Sequence, residues 1–107
     1  MNDSWKRDER EVARRLGGTR VALSGGRGAA SRADVLLPGW FIEVKRRQFF
    51  RGAGWLEMTR LKATREDRRG VVVVHVARSV GWIVLLSLAD FQELLGVDLV
   101  TAVESDG

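Results

Sequence analysis

The chain has 107 residues, enough for one domain with a modest core. It is 30% charged, and no run approaches the ~20 apolar residues that cross a bilayer, so a membrane-spanning helix is excluded. It has no cysteine, which removes disulfides, thiolate metal sites and a cysteine nucleophile.

The first residues lack the apolar stretch of a secretion signal, so an intracellular, cytoplasmic protein is expected. All eighteen Lys and Arg lie at or before Arg78, where they face nine acids; beyond Arg78 stand five acids and no base. A cationic body predicts an anionic partner, and nucleic acid comes first. Fifteen of the bases are arginine, the side chain suited to bidentate phosphate contact. Asn and Gln are scarce, a trait of thermophile proteins.

The elements follow in chain order. Ser4 to Leu16 predicts an amphipathic helix capped by Asp3 or Ser4 and ended by Gly17-Gly18. Its inward stripe is Trp5, Val12, Ala13 and Leu16, with Glu9 in the middle, and an acid on a buried face needs a partner or a task. Thr19 to Leu23 is a short strand. The loop Ser24 to Ser31 is glycine-rich but lacks the Gly-Lys-Ser/Thr ending of a phosphate-binding loop. Asp34 to Leu37 is a second strand, Pro38-Gly39 fits a type II turn, and Trp40 to Lys45 is a third strand. Arg46, Arg47 and Arg51 then flank Phe49 and Phe50. With Arg27 and Arg32 they form the expected DNA-binding rim.

Gly54 to about Arg68 predicts a second helix, with Trp55, Met58 and Leu61 inward and Lys62 at the edge. Val71 to Ala77 carries valines on both faces, as in an interior strand. The single histidine, His75, reads as a strand residue with a satisfied nitrogen, since nothing at ligand spacing accompanies it. Trp82 to Leu88 is the fifth strand, and a last helix begins at Ser87 or Ala89 and ends at Leu95. Residues 98–107 form an acidic tail. The order α-β-β-β-α-β-β-α predicts an α/β fold, a central mixed five-stranded sheet flanked by helices, in a single domain over residues 1–107.

The chemistry concentrates in Asp34 to Lys45. Strand alternation sends Glu43 and Lys45 to one face and Val44 to the other. Two acids and an ammonium on one sheet surface meet the needs of metal-assisted phosphodiester hydrolysis. Carboxylate oxygens hold a hard cation, and the lysine orients water or stabilises negative charge.

Glu9 on the first helix, Asp34 on the second strand and Glu43-Val44-Lys45 on the third together resemble the PD-(D/E)xK nuclease superfamily. Asp8-Glu9-Arg10-Glu11-Val12, followed by Val21-Ala22-Leu23-Ser24-Gly25, is similar to the archaeal-type Holliday junction resolvases. Ala33 stands where that pattern has proline. The resemblance implies a restriction-endonuclease-like fold and a homodimer that makes paired cuts in four-way DNA junctions. It implies that Asp34 and Glu43 ligate Mg²⁺ or Mn²⁺ with the Val44 carbonyl, and that Glu9 is an outer ligand or holds a water. It further implies that Lys45 positions the attacking water and that Ser24 lies near the scissile backbone. A nicking or repair nuclease of the same superfamily and an inert DNA-binding relative are the alternatives. Compactness and arginine content fit a phage of a thermophile. The apolar run Trp82 to Leu86, with Phe91, Leu94 and Leu95, is the expected dimer contact.

Overall fold

The computed structural model describes residues 4–21, 31–78 and 81–96. In these, α1 (Ser4–Leu16) precedes β1 (Thr19–Arg20), β2 (Val35–Leu37) and β3 (Trp40–Arg47). Then come α2 (Gly52–Arg65), β4 (Arg69–Val76), β5 (Trp82–Leu85) and α3 (Leu88–Leu95). The five strands form one sheet in chain order. β3 and β4 are parallel and every other neighbouring pair is antiparallel, so the sheet is mixed as expected. The expected acidic tail, Ser24 and Arg27 lie outside the described residues, as does the end of the first expected strand.

Each strand sits where its neighbours satisfy it. Pro38-Gly39 turns β2 into β3, with Gly39 at φ +81°, the conformation a type II turn requires at its third position. β4 lies between β3 and β5, and its valines are buried on both faces, which is why it is nearly all valine. Val71 and Val73 join Val12, Ala13, Val35 and Ile42 on one face. Val72, Val74 and Val76 join Trp55 and Leu56 of α2 on the other. α2 can approach β4 closely because Gly70 has no side chain. A Cβ there would stand 3.0 Å from the Arg60 backbone.

The helices pack differently from the simple stripes. Trp5 and Leu16 are largely exposed, and the buried positions of α1 are Asp8, Glu9, Val12 and Ala13. The stripe is rotated because two of its buried residues are acids, each held by an arginine from the sheet. In α2, Met58 and Leu61 are exposed, while Thr59 and Ala63 face inward. The close approach at Gly70 admits small side chains, not large ones. α2 also starts two residues earlier than expected and ends earlier, at Arg65. His75 meets Trp82 edge-on at 5.3 Å between ring centres, and its buried Nδ1 has no partner among the described residues.

α1 covers only the β1–β3 half of its face. The other half leaves an open groove of about 660 Å³, lined by Leu16, Leu37, Trp40, Val84, Phe91 and Leu94 among others. α3 borders it, capped by Ser87, whose Oγ accepts from the Asp90 amide at 3.1 Å. Arg69 ties α3 to the sheet through Asp90 and Glu93. No described helix is long and apolar enough to cross a membrane.

Candidate active site

The site is built on the alternation of β3. Ile42 and Val44 face α1 and belong to the core on that side. Glu43, Lys45 and Arg47 have the opposite parity and face α2. Glu43 lies within 3.8 Å of Lys62 of α2, and the Arg47 guanidinium carbon stands 6.0 Å from the centre of the Trp55 ring. Thus one strand supplies the core with one face and an acid-base-base row with the other.

Asp34 sits just before β2. Its backbone amide donates to Ile42 at 3.0 Å, and its Oδ2 accepts from the Val44 amide at 2.8 Å. In an extended strand the amide and carbonyl of one residue share an edge. The Val44 carbonyl therefore lies on the same side as Asp34, beyond the end of β2. The segment entering Asp34 is pinned from α2's far end. Glu66 accepts from Ser31 Oγ at 2.6 Å and from the Arg32 amide at 3.0 Å, and pairs with Arg68 at 2.9 Å. These partners hold the Glu66 carboxyl below its ordinary range, against the opposing effect of burial.

Glu9 comes from α1 and is 7% exposed. Arg20 of β1 donates to its Oε1 at 2.9 Å. Burial and the charge of Asp34 raise the Glu9 pKa, while Arg20 opposes the rise. Glu43 is pushed further, to about 7, first by burial and then by Asp34, against Lys62 and Lys45. Burial lowers the Lys45 pKa most, with Glu43 opposing. Asp34 thus couples electrostatically to both glutamates, and three acids and two lysines share one field.

No protein-family model matches the sequence, and no curated protein matches it. The solved structure of Hjc, a Holliday junction resolvase from the archaeal hyperthermophile Archaeoglobus fulgidus, does match. It aligns with 76% of this chain and 75% of its own length, with a TM-score of 0.52 and 22% identity. The chain shares the fold of that structure. At this identity the likeness speaks for the architecture and not for a phage source.

On this fold the chain brings Glu9, Glu43 and Lys45 together around Asp34. Arg46, expected on the DNA rim, points the other way. It grips buried Asp8 with two hydrogen bonds, Nε to Oδ2 at 2.7 Å and Nη2 to Oδ1 at 2.9 Å. Its parity with Ile42 and Val44 sends it to α1. Arg32, Arg47 and Arg51 are exposed. Sequence reasoning missed Asp8, Glu66 and Lys62 as parts of the site's frame.

The residues fit a hard divalent cation. Among the described residues Glu43 Oε1 is buried without a hydrogen-bond donor, and Lys62 at 3.8 Å is too far to donate. Among the described residues no three acids or histidines stand together as a complete metal cage. Mg²⁺ does not need one, since it is commonly bound by one or two carboxylates with water and substrate phosphate completing the shell.

Proposed function

We propose that this chain is a divalent-metal-dependent DNA endonuclease that cuts four-way junctions. The observation that carries the reading is the buried Glu43 oxygen, without a donor among the described residues, beside Asp34 and Lys45 on a fold shared with a resolvase. Asp34 and Glu43 would hold Mg²⁺ or Mn²⁺, with the Val44 carbonyl on the same edge. The bound cation supplies polarisation of the scissile phosphate and a more acidic water. Lys45 orients the attacking water and stabilises charge developing on the phosphate. Glu9 holds a water or serves as an outer ligand, and Arg20 opposes the rise that burial and Asp34 impose on its pKa. Lys62 supplies counter-charge to Glu43.

The exposed Arg32, Arg47 and Arg51, with Arg27, hold the DNA backbone, and Ser24 contacts it near the cut. Two cuts on opposite strands require two sites, so the protein acts as a homodimer with twofold symmetry. The apolar groove beside α1, together with exposed Val84, Leu88, Phe91, Leu94 and Leu95, supports a contact there. That contact leaves the carboxylate end of each subunit open.

The test is incubation with a labelled four-way junction, a duplex and a single strand, with and without Mg²⁺. Junction cleavage that needs the metal is expected. Asp34→Ala and Glu43→Ala should abolish cleavage while binding persists, and Lys45→Ala should lose turnover with little change in affinity. Full metal-dependent cleavage by either carboxylate variant would overturn the site.

A further inference from the structure

Beyond β3 the chain crosses residues 48–51 with two phenylalanines in the open. Phe49 is 74% exposed and Phe50 is 51% exposed. Such exposure contributes little to a core. Phe50 is nevertheless held in place. A Cβ at Gly52 would run into the Phe50 ring, so that ring lies against the first turn of α2. It meets Trp55 edge-on, with ring centres 5.6 Å apart and planes at 84°. The Arg47 guanidinium packs over the same Trp55. Phe50 is therefore buttressed by Gly52 and Trp55, and Phe49 carries the open surface.

The setting is cationic. Lys45, Arg47 and Arg51 lie near the pair in sequence, Arg46 being committed to Asp8, and no acid occurs between Glu43 and Glu57. Arg47, which touches this cluster, shares a face of β3 with Glu43 and Lys45. Four strand residues separate Glu43 from Arg47, about 13 Å. That is the rise of about four nucleotides.

An aromatic surface among arginines matches a nucleobase joined to phosphate. The ring stacks on the base while the guanidinium groups take the backbone. An apolar protein partner would instead bury those guanidinium groups without acids to meet them. In an intact duplex every base face is already stacked, so only a base freed at a branch, gap or end can reach Phe49.

We propose that Phe49, next in sequence to the anchored Phe50, is a stacking site for an unpaired base of branched or gapped DNA, beyond Arg47 and so further along the backbone from Glu43 than the four-nucleotide span of β3. The proposal deepens the endonuclease reading and rests on it. Its test is affinity measured by fluorescence anisotropy in a chelating buffer, where nothing is cut. The probes are a duplex and the same duplex with a short single-stranded gap. The wild type should favour the gapped DNA. Phe49→Ala should weaken gapped binding roughly tenfold and leave duplex binding unchanged, since stacking is lost only where a base is free. Phe49→Trp should keep the preference. Phe49 is too exposed for either change to disturb folding. Equal losses on both DNAs, or no loss on either, would overturn the stacking site and leave the endonuclease reading standing. Failure of the wild type to bind either DNA would overturn both.

Discussion

Glu43→Gln should stabilise the metal-free protein at pH 8 and leave it unchanged at pH 4. The Glu43 carboxyl titrates at about 7 in the folded chain against an ordinary 4.5. Below pH 4.5 it is protonated in both states and carries no penalty. Between pH 4.5 and 7 the unfolded chain releases its proton first, so stability falls as pH rises. Above 7 the whole penalty is present. Fully expressed, the gap is worth roughly 3 kcal/mol. The side chain is 16% exposed and faces two lysines, so about 1–2 kcal/mol is the working figure. In a domain of this length each kcal/mol moves Tm by about 4–8 °C. The variant should therefore melt about 5–10 °C above the wild type at pH 8, with the two curves converging near pH 4. The assay is thermal unfolding by circular dichroism across that range, in a chelating buffer. Added Mg²⁺ should then raise the wild type but not the variant, because a ligand stabilises only the state that binds it. A difference that did not change with pH, or a variant less stable at pH 8, would refute the burial argument.

Arg46→Met should cost about 2–3 kcal/mol in urea unfolding, because it leaves buried Asp8 without its partner. DNA affinity should change far less than in Arg47→Ala, since Arg46 is committed to α1; an equal loss of affinity would return it to the DNA rim. Gly70→Ala should destabilise by about 1–3 kcal/mol through collision with the α2 backbone. Gly54→Ala, with open space around it on the same helix, should stabilise by about 0.5–1 kcal/mol, and the same unfolding assay separates the two. Lys62→Met should tighten Mn²⁺ binding roughly 3- to 10-fold by calorimetry without DNA, because it frees Glu43 from a competing cation. Arg60→Met is the control for general charge removal, and an equal gain there would deny Lys62 that role.

Strand periodicity made much of this legible. The faces of β3, the turn at Pro38-Gly39 and the interior valines of β4 follow from local chemistry alone. Glu9 could be singled out because an acid interrupts an apolar stripe. The contacts that frame the site could not be read the same way. Ser31 and Glu66 are thirty-five residues apart, and Asp8 and Arg46 thirty-eight. Periodicity assigns a residue to a face but does not say which distant side chain will stand opposite. Lys62 was visible as the edge of a helix, and only the crossover of α2 over β3 brings it to Glu43. Met58 and Leu61 misled because apolar spacing carries no information about how closely two backbones can approach. That distance is set by Gly70.

The alternation of β3 also constrains how this chain can change. Core and chemistry are opposite sides of one ribbon, so a single-residue insertion between Trp40 and Glu43 would exchange them. Glu43 and Lys45 would face Val12 and Ala13, and Ile42 and Val44 would turn toward Lys62. Unless a bulge absorbs the extra residue, every downstream residue of the strand inverts together. The crossing from Gln48 to Arg51 has no ladder to keep, yet its length seats Phe50 against Gly52 and Trp55. Designed variants should accordingly keep the count from Trp40 to Arg47 fixed.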